Sequence, residues 1–138
     1  MQATTAKKEI IKIISKGNGT IMCTWHKAEA LKKYETKMDI NFFKKTRILD
    51  GGMGQELLAR GMTPNGTLWS ANALLNEEYH QLLLDTHLDF IKAGAEIIVT
   101  TTFTTRRLRL RDNNIEDKFE YLNTKAGEIA NKAKDLNP

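Results

Sequence analysis

The stretch Glu96-Ile97-Ile98-Val99-Thr100-Thr101-Thr102-Phe103 is strongly β-prone, and its apolar start is continuous rather than alternating. A strand with one solvated face alternates, whereas a strand covered on both faces of a parallel sheet does not. The run therefore predicts a buried parallel strand, and the sequence on either side agrees. Gly94, just before it, is a natural helix stop. Upstream, Leu75, Tyr79, Leu82, Leu83, Thr86, Phe90 and Ile91 recur at three- and four-residue spacing, which predicts one amphipathic helix over about 73–93. Asn72 or Asn76 can cap its start. Further upstream, Arg47-Ile48-Leu49 is a shorter β-type run. Downstream, Ile115, Phe119, Leu122, Ala126, Ile129 and Ala133 predict a second amphipathic helix over 115–136. Strand, helix, strand, helix is the order of a βαβ unit followed by one more helix, so the two strands are expected to run parallel. The expected fold class is α/β.

Length and composition bound this reading. The chain has 138 residues, which is one ordinary domain, and 41% of them are apolar, enough for a core. No run approaches the ~20 apolar residues that a membrane helix needs. The N-terminus lacks the apolar core of a secretory signal. With Cys23 as the single cysteine, neither an internal disulfide framework nor a multi-cysteine metal site can form within these residues, and a reducing, cytoplasmic setting is expected.

The net charge of +4 is unevenly placed: residues 1–46 carry +6 and residues 47–138 carry −2. Residues 1–46 hold a short amphipathic stretch over 7–15, a Gly17-Asn18-Gly19 turn and a Lys-rich helical pattern over 28–37. These supply too little apolar periodicity for a core of their own. They are expected to be a basic, poorly ordered extension, or sequence read from a start codon placed too early, with Met38 as the true start. A second basic cluster, Arg106-Arg107-Leu108-Arg109-Leu110-Arg111, can hold phosphates or form ion pairs with acids such as Glu116 and Asp117. No aromatics interleave it, which favours ion pairs and disfavours a nucleic-acid partner.

Candidate chemistry collects at the ends of the two strands. Asp50-Gly51-Gly52-Met53-Gly54 follows the first, at the edge where parallel α/β proteins bind ligands. A carboxylate there can hold an ammonium group and glycine amides can hold a carboxylate; the alternative is a tight turn with Asp50 as a helix cap. The loop is neither a P-loop nor a dinucleotide-binding G-x-G-x-x-G. Thr100 to Thr105 end the second strand at the same edge, where hydroxyls can bond a polar ligand or serve β-propensity alone. Trp69 follows the glycine loop as a packing residue or a lid. His80 and His87 share a helix face, but metal pairs on helices sit four apart, so structural or surface roles are favoured.

The order of these motifs resembles the N-terminal part of the homocysteine S-methyltransferase family. The segments that carry the resemblance are ILDGGMGQELLARG (48–61), LWSANALL (68–75), HLDFIKAGAEIIVTTTF (87–103) and the helix around Asn123-Thr124-Lys125-Ala126. It implies a (β/α)8 TIM barrel, of which 47–138 would supply the first two β-α units, an incomplete homocysteine-binding domain. It implies that Asp50 binds the amino group of homocysteine, that Gly51 and Gly52 line the pocket, that Trp69 sits on the methyl donor's side, and that Thr102 and Phe103 line the end of the second strand. The family often has Asn where Thr101 stands. The family's cofactor is zinc, held by three cysteine thiolates, with the homocysteine sulfur as fourth ligand; it presents a thiolate that attacks an activated methyl group to give methionine. Those cysteines would lie beyond Pro138, so no catalytic or metal-ligating residue is expected here and the chain alone is expected to be inactive. Homocysteine and a methyl donor are the expected partners. Two alternatives stay open: a small basic α/β fragment that binds nucleic acid or an acidic partner without catalysis, and a related barrel acting on another acceptor such as selenohomocysteine. With barrel neighbours missing, the second strand and both helices are expected to expose apolar edges.

Overall fold

The computed structural model describes residues 13–16, 19–22 and 40–137. Of the amphipathic stretch expected over 7–15, residues 13–15 belong to a strand. The remainder, the pattern over 28–37, Met38 and Cys23 lie outside the described residues.

The described residues are mostly helical, with short strands. Strand β1 (Ile13–Lys16) pairs antiparallel with β2 (Gly19–Met22), and β2 pairs parallel with β3 (Ile97–Val99). The strand expected at 47–49 is reduced to a parallel bridge between Leu49 and Ile97. Its hydrogen bonds still have the parallel pattern: the Glu96 and Ile97 amides donate to the Ile48 carbonyl, and the Asp50 amide donates to the Ile97 carbonyl at 2.9 Å. The β-prone run at 96–103 keeps strand geometry for three residues only. Beyond Val99 the chain leaves the strand, and Thr104 and Thr105 bond other segments.

A short 3-10 turn at Ile40–Lys44 precedes the bridge strand. Helix α1 (Met53–Ala59) starts within the glycine stretch, so Gly54 belongs to its first turn. The single helix expected over 73–93 is broken. It is α2 (Asn72–Leu75), a 3-10 turn at Glu77–Tyr79, and α3 (His80–Lys92). Asn76 is the break: it adopts φ −107°, ψ 118°, an extended conformation. Neither Asn72 nor Asn76 makes a side-chain capping bond to the backbone at these starts. Their amides bond each other instead, Asn76 Nδ2 donating to Asn72 Oδ1 at 2.7 Å. Asn72 Nδ2 donates in turn to the Thr63 carbonyl at 3.0 Å, so this buried amide ties the break to the preceding loop.

Helix α3 stops as expected. Gly94 takes φ 107°, its amide donates to the Ile91 carbonyl, and the Ala95 amide donates to the Phe90 carbonyl. That bond pair is the Schellman closure, which needs a left-handed residue at its centre. The chain passes directly into β3. The arginine cluster lies on helix α4 (Arg107–Asp112), and α5 (Phe119–Leu136) is the expected final helix, entered through a 3-10 turn at Glu116–Lys118.

The core is a helix layer on β3. Leu57 of α1, Leu74 of α2, Leu83 and Leu84 of α3, Ile98 of β3 and Leu122, Ala126, Ile129 and Ala130 of α5 form one buried cluster. Of the exposed apolar edges expected on the second strand and both helices, the last helix exposes Tyr121 and Leu136, but the second strand does not expose its isoleucines. Ile97 and Ile98 of β3 are buried, Ile98 within the cluster formed with the helices, whereas Ile48 and Leu49 are 60% and 54% exposed.

Candidate functional site

Three segments converge on the C-terminal end of β3. The first is the Asp50 loop. Asp50 leaves the bridge strand and its Oδ2 accepts the Val99 N–H at 2.8 Å, across the strand pair. Neither a free loop carboxylate nor a cap of α1, it is half-buried, and burial raises its pKa to about 6 despite the stabilising bonds from the Val99 and Asp50 amides. Gly51 and Gly52 are exposed. A Cβ on Gly51 would stand 2.8 Å from the Phe90 ring, so the glycine lets α3 approach the loop.

The second segment carries Trp69. It lies in a 3-10 stretch, Gly66–Ala71, that kinks at Trp69 itself, with φ 43° and ψ −119°. A non-glycine residue there is strained, and such strain persists only where packing holds it. The packing partner is Gly54: a Cβ on it would lie 2.8 Å from Trp69 Cε2. The indole thus sits against the first turn of α1, next to the Asp50 loop. The packing role is met by this half-buried ring.

The third segment is the threonine run. Thr104 Oγ1 accepts the Ala71 N–H at 2.9 Å and pairs with Ser70 Oγ at 3.2 Å, which joins the run to the residues after Trp69. Thr105 Oγ1 donates to Asn123 Oδ1 at 2.9 Å, which joins it to α5. Thr102 is buried and its hydroxyl pairs with that of Thr100 at 3.2 Å. Phe103 is 66% exposed, with the Arg106 guanidinium stacked 5.0 Å from its ring centre.

Of the expected ligand residues, Asp50, Gly51 and Gly52 share one loop against β3, and Trp69 is joined to that loop through Gly54. Thr102 and Phe103 follow β3, with Phe103 facing solvent and Thr102 turned inward. The linking residues Ser70, Thr104 and Asn123 were not singled out by sequence. Thr104 belonged to a run read for hydroxyl chemistry, but nothing local marked which hydroxyl would bridge to Ala71.

The remaining candidates resolve differently. Arg111 pairs with Glu116 at 2.8 Å and Arg107 with Glu116 at 3.8 Å, Arg107 also stacking on Phe119 at 4.0 Å. Arg109 donates to the Thr67 carbonyl at 3.2 Å. The arginine cluster is thus engaged within the chain, as expected for ion pairs. His80 Nε2 lies 3.1 Å from the Leu74 carbonyl, whereas His87 is fully buried with neither ring nitrogen bonded, and burial lowers its pKa to about 4. Among the described residues no three His, Cys, Asp or Glu side chains are placed to hold a metal ion, and no helix is long and apolar enough to cross a membrane. A cavity of about 230 Å³ opens between α3 and α5, and none of the expected ligand residues lines it.

Comparison with known proteins bears on this arrangement. The family description "Homocysteine S-methyltransferase" matches residues 47–137. A homocysteine S-methyltransferase of Zea mays is 36% identical over 90 residues, covering 64% of this chain and 26% of that protein. A selenocysteine methyltransferase of Astragalus bisulcatus is 33% identical over 93 residues, covering 67% and 27%. The homocysteine S-methyltransferase of Escherichia coli is 33% identical over 89 residues, covering 64% and 28%. The chain spans about a quarter of the length of these curated relatives. No solved structure matches it. The matched span begins at Arg47, on the bridge strand, and takes in the Asp50 loop, the Trp69 kink and the threonine run, and the chain belongs to the homocysteine S-methyltransferase family.

Proposed function

We propose that residues 47–138 are the opening two β-α units of a (β/α)8 barrel whose strand ends bind the amino-acid end of homocysteine, as part of an enzyme that methylates it to methionine. Residues 1–46 precede that unit, and within them β2 pairs with its strand β3. Asp50 takes the substrate ammonium, the Gly51 and Gly52 backbone takes its carboxylate, and Trp69, Thr102 and Phe103 border the pocket. The observation that carries this reading is the half-buried Asp50, fixed by the Val99 N–H at the end of a parallel strand pair. One of its oxygens is held, leaving acceptor capacity for a cation at the edge where such folds bind ligands. The curated relatives, whose names specify homocysteine or selenocysteine, support a thiol or selenol amino acid as the acceptor.

Zinc belongs to the methyl-transfer half of that chemistry, and the residues here do not fit it. The one cysteine, Cys23, precedes the family match, and the described residues gather no three-ligand cluster. The role of this chain is therefore confined to holding the amino-acid end. Purified on its own it is expected to form no methionine from homocysteine and a methyl donor.

Titration of the 138-residue chain with L-homocysteine by calorimetry tests the reading. Binding is expected, and it is expected to tighten as pH rises from 5 to 7, because Asp50 ionises near 6 while the ligand stays an ammonium ion throughout. Asp50→Asn is expected to abolish both the binding and its pH dependence. Wild-type affinity in Asp50→Asn refutes the assignment.

A further inference from the structure

We propose that the Thr101 hydroxyl contacts the substrate, hydrogen-bonding the charged α-amino-acid end of the thiol beside Asp50. This rests on the reading of the strand ends as the homocysteine site and adds a residue to it. Thr101 is 5% exposed, and its Oγ1 has no hydrogen-bond partner among the described residues. Its neighbours in the same run are engaged: Thr100 with Thr102, Thr104 with Ala71 and Ser70, Thr105 with Asn123.

The local geometry separates Thr101 from those neighbours. The Thr100 and Thr102 hydroxyls bond each other at 3.2 Å across Thr101, whose own hydroxyl takes no part in that bond. The Thr102 N–H donates to the Thr100 carbonyl at 2.7 Å, a three-residue turn with Thr101 at its apex. Two residues earlier, the Val99 N–H is held by the Asp50 carboxylate. The unbonded hydroxyl therefore follows directly on the backbone that positions Asp50. Native proteins leave few buried polar groups unsatisfied, and those that remain call for a reason such as a ligand that completes them. A hydroxyl donates and accepts, so it suits both charged groups of an α-amino acid. The other unbonded buried polar atoms, the ring nitrogens of His87, belong to helix α3 rather than to a strand end.

The test compares Thr101→Val, which keeps shape and removes the hydroxyl, with Thr101→Ser, which keeps the hydroxyl. L-Homocysteine is titrated into each full chain by calorimetry, with thermal melts alongside. Thr101→Val is expected to weaken binding about tenfold, the size of a lost hydrogen bond to a charged group, without a lower melting temperature. Thr101→Ser is expected to bind within about twofold of wild type, a change of under ~0.5 kcal/mol. Equal affinity in wild type and Thr101→Val, or equal weakening in both variants, overturns the inference while the wild-type binding leaves the homocysteine site standing. Failure of the wild-type chain to bind homocysteine overturns the site reading itself and this inference with it.

Discussion

At the scale of single residues, two buried titratable groups pull the stability of this chain in opposite directions with pH. His87 is fully buried with both ring nitrogens unbonded, so burial alone lowers its pKa to about 4 from the ordinary 6.5. As pH falls below 6.5 the unfolded chain takes up this proton first, and stability is lost progressively until about pH 4. The loss is about 3 kcal/mol for a shift of this size. Asp50 runs the other way: its raised pKa lets the folded state hold a proton that the unfolded chain has released, so its contribution favours folding at acid pH and fades as pH rises through 6. The two are separated by substitution. Urea unfolding at pH 4.5 and pH 7.5 is expected to show a smaller acid loss in His87→Phe than in wild type. An unchanged difference between the two pH values would show that His87 is not the group responsible. Asp50 was legible in the sequence from its place after a β-prone run. The burial of His87 was not, because its spacing from His80 specifies a shared face and not what covers it.

At the scale of elements, the interruption of 72–92 and the stop at Gly94 show two kinds of boundary. The apolar spacing from Leu75 to Ile91 fits one continuous helix, yet Asn76 is extended and its side chain bonds Asn72. Asparagine side chains compete with helical backbone bonds, and here the surrounding amide cluster with Asn65 and Thr63 decides the competition. The stop at Gly94 needs no such context, since the required left-handed geometry is a property of the residue. Gly94 has φ 107°, and a Cβ added there would meet nothing within 4 Å. Gly94→Ala is therefore a test of backbone conformation with no steric clash. It is expected to cost about 1 kcal/mol, read as a lower urea midpoint at unchanged slope. A neutral result would mean that the closure between α3 and β3 is held by packing alone.

At the scale of the whole molecule, one edge of the bridge strand has no strand partner among the described residues. Arg47 is anchored by its ion pair with Glu96 and by stacking on Phe42 at 3.9 Å, but Ile48 and Leu49 face outward, largely exposed. An open strand edge with apolar side chains is a template for further pairing. The chain is therefore expected to associate as its concentration rises, and Leu49→Lys is expected to reduce that association, both read by sedimentation velocity. A monomer at all concentrations would count against an accessible edge. The same edge is where a closed barrel would place its next neighbour, which ties this expectation to the proposed fold.

The amino-acid sequence by itself determined the order of strand, helix, strand and helix, the helix stop at Gly94, the glycine loop after the first strand and the likeness to the methyltransferase family. These rest on residue type and on spacings of a few positions, so near neighbours suffice to specify them. Only the tertiary structure decided that the long helix breaks at Asn76, that the arginine cluster lies on a helix, and that β3 is short. It alone decided that Thr104 bridges to Ala71 while Thr101 is left unbonded. These turn on what packing brings within reach, in the case of Thr104 and Ala71 from more than thirty positions away. A buried donor or acceptor must be satisfied by whatever packing brings within reach, and local propensity carries no record of that.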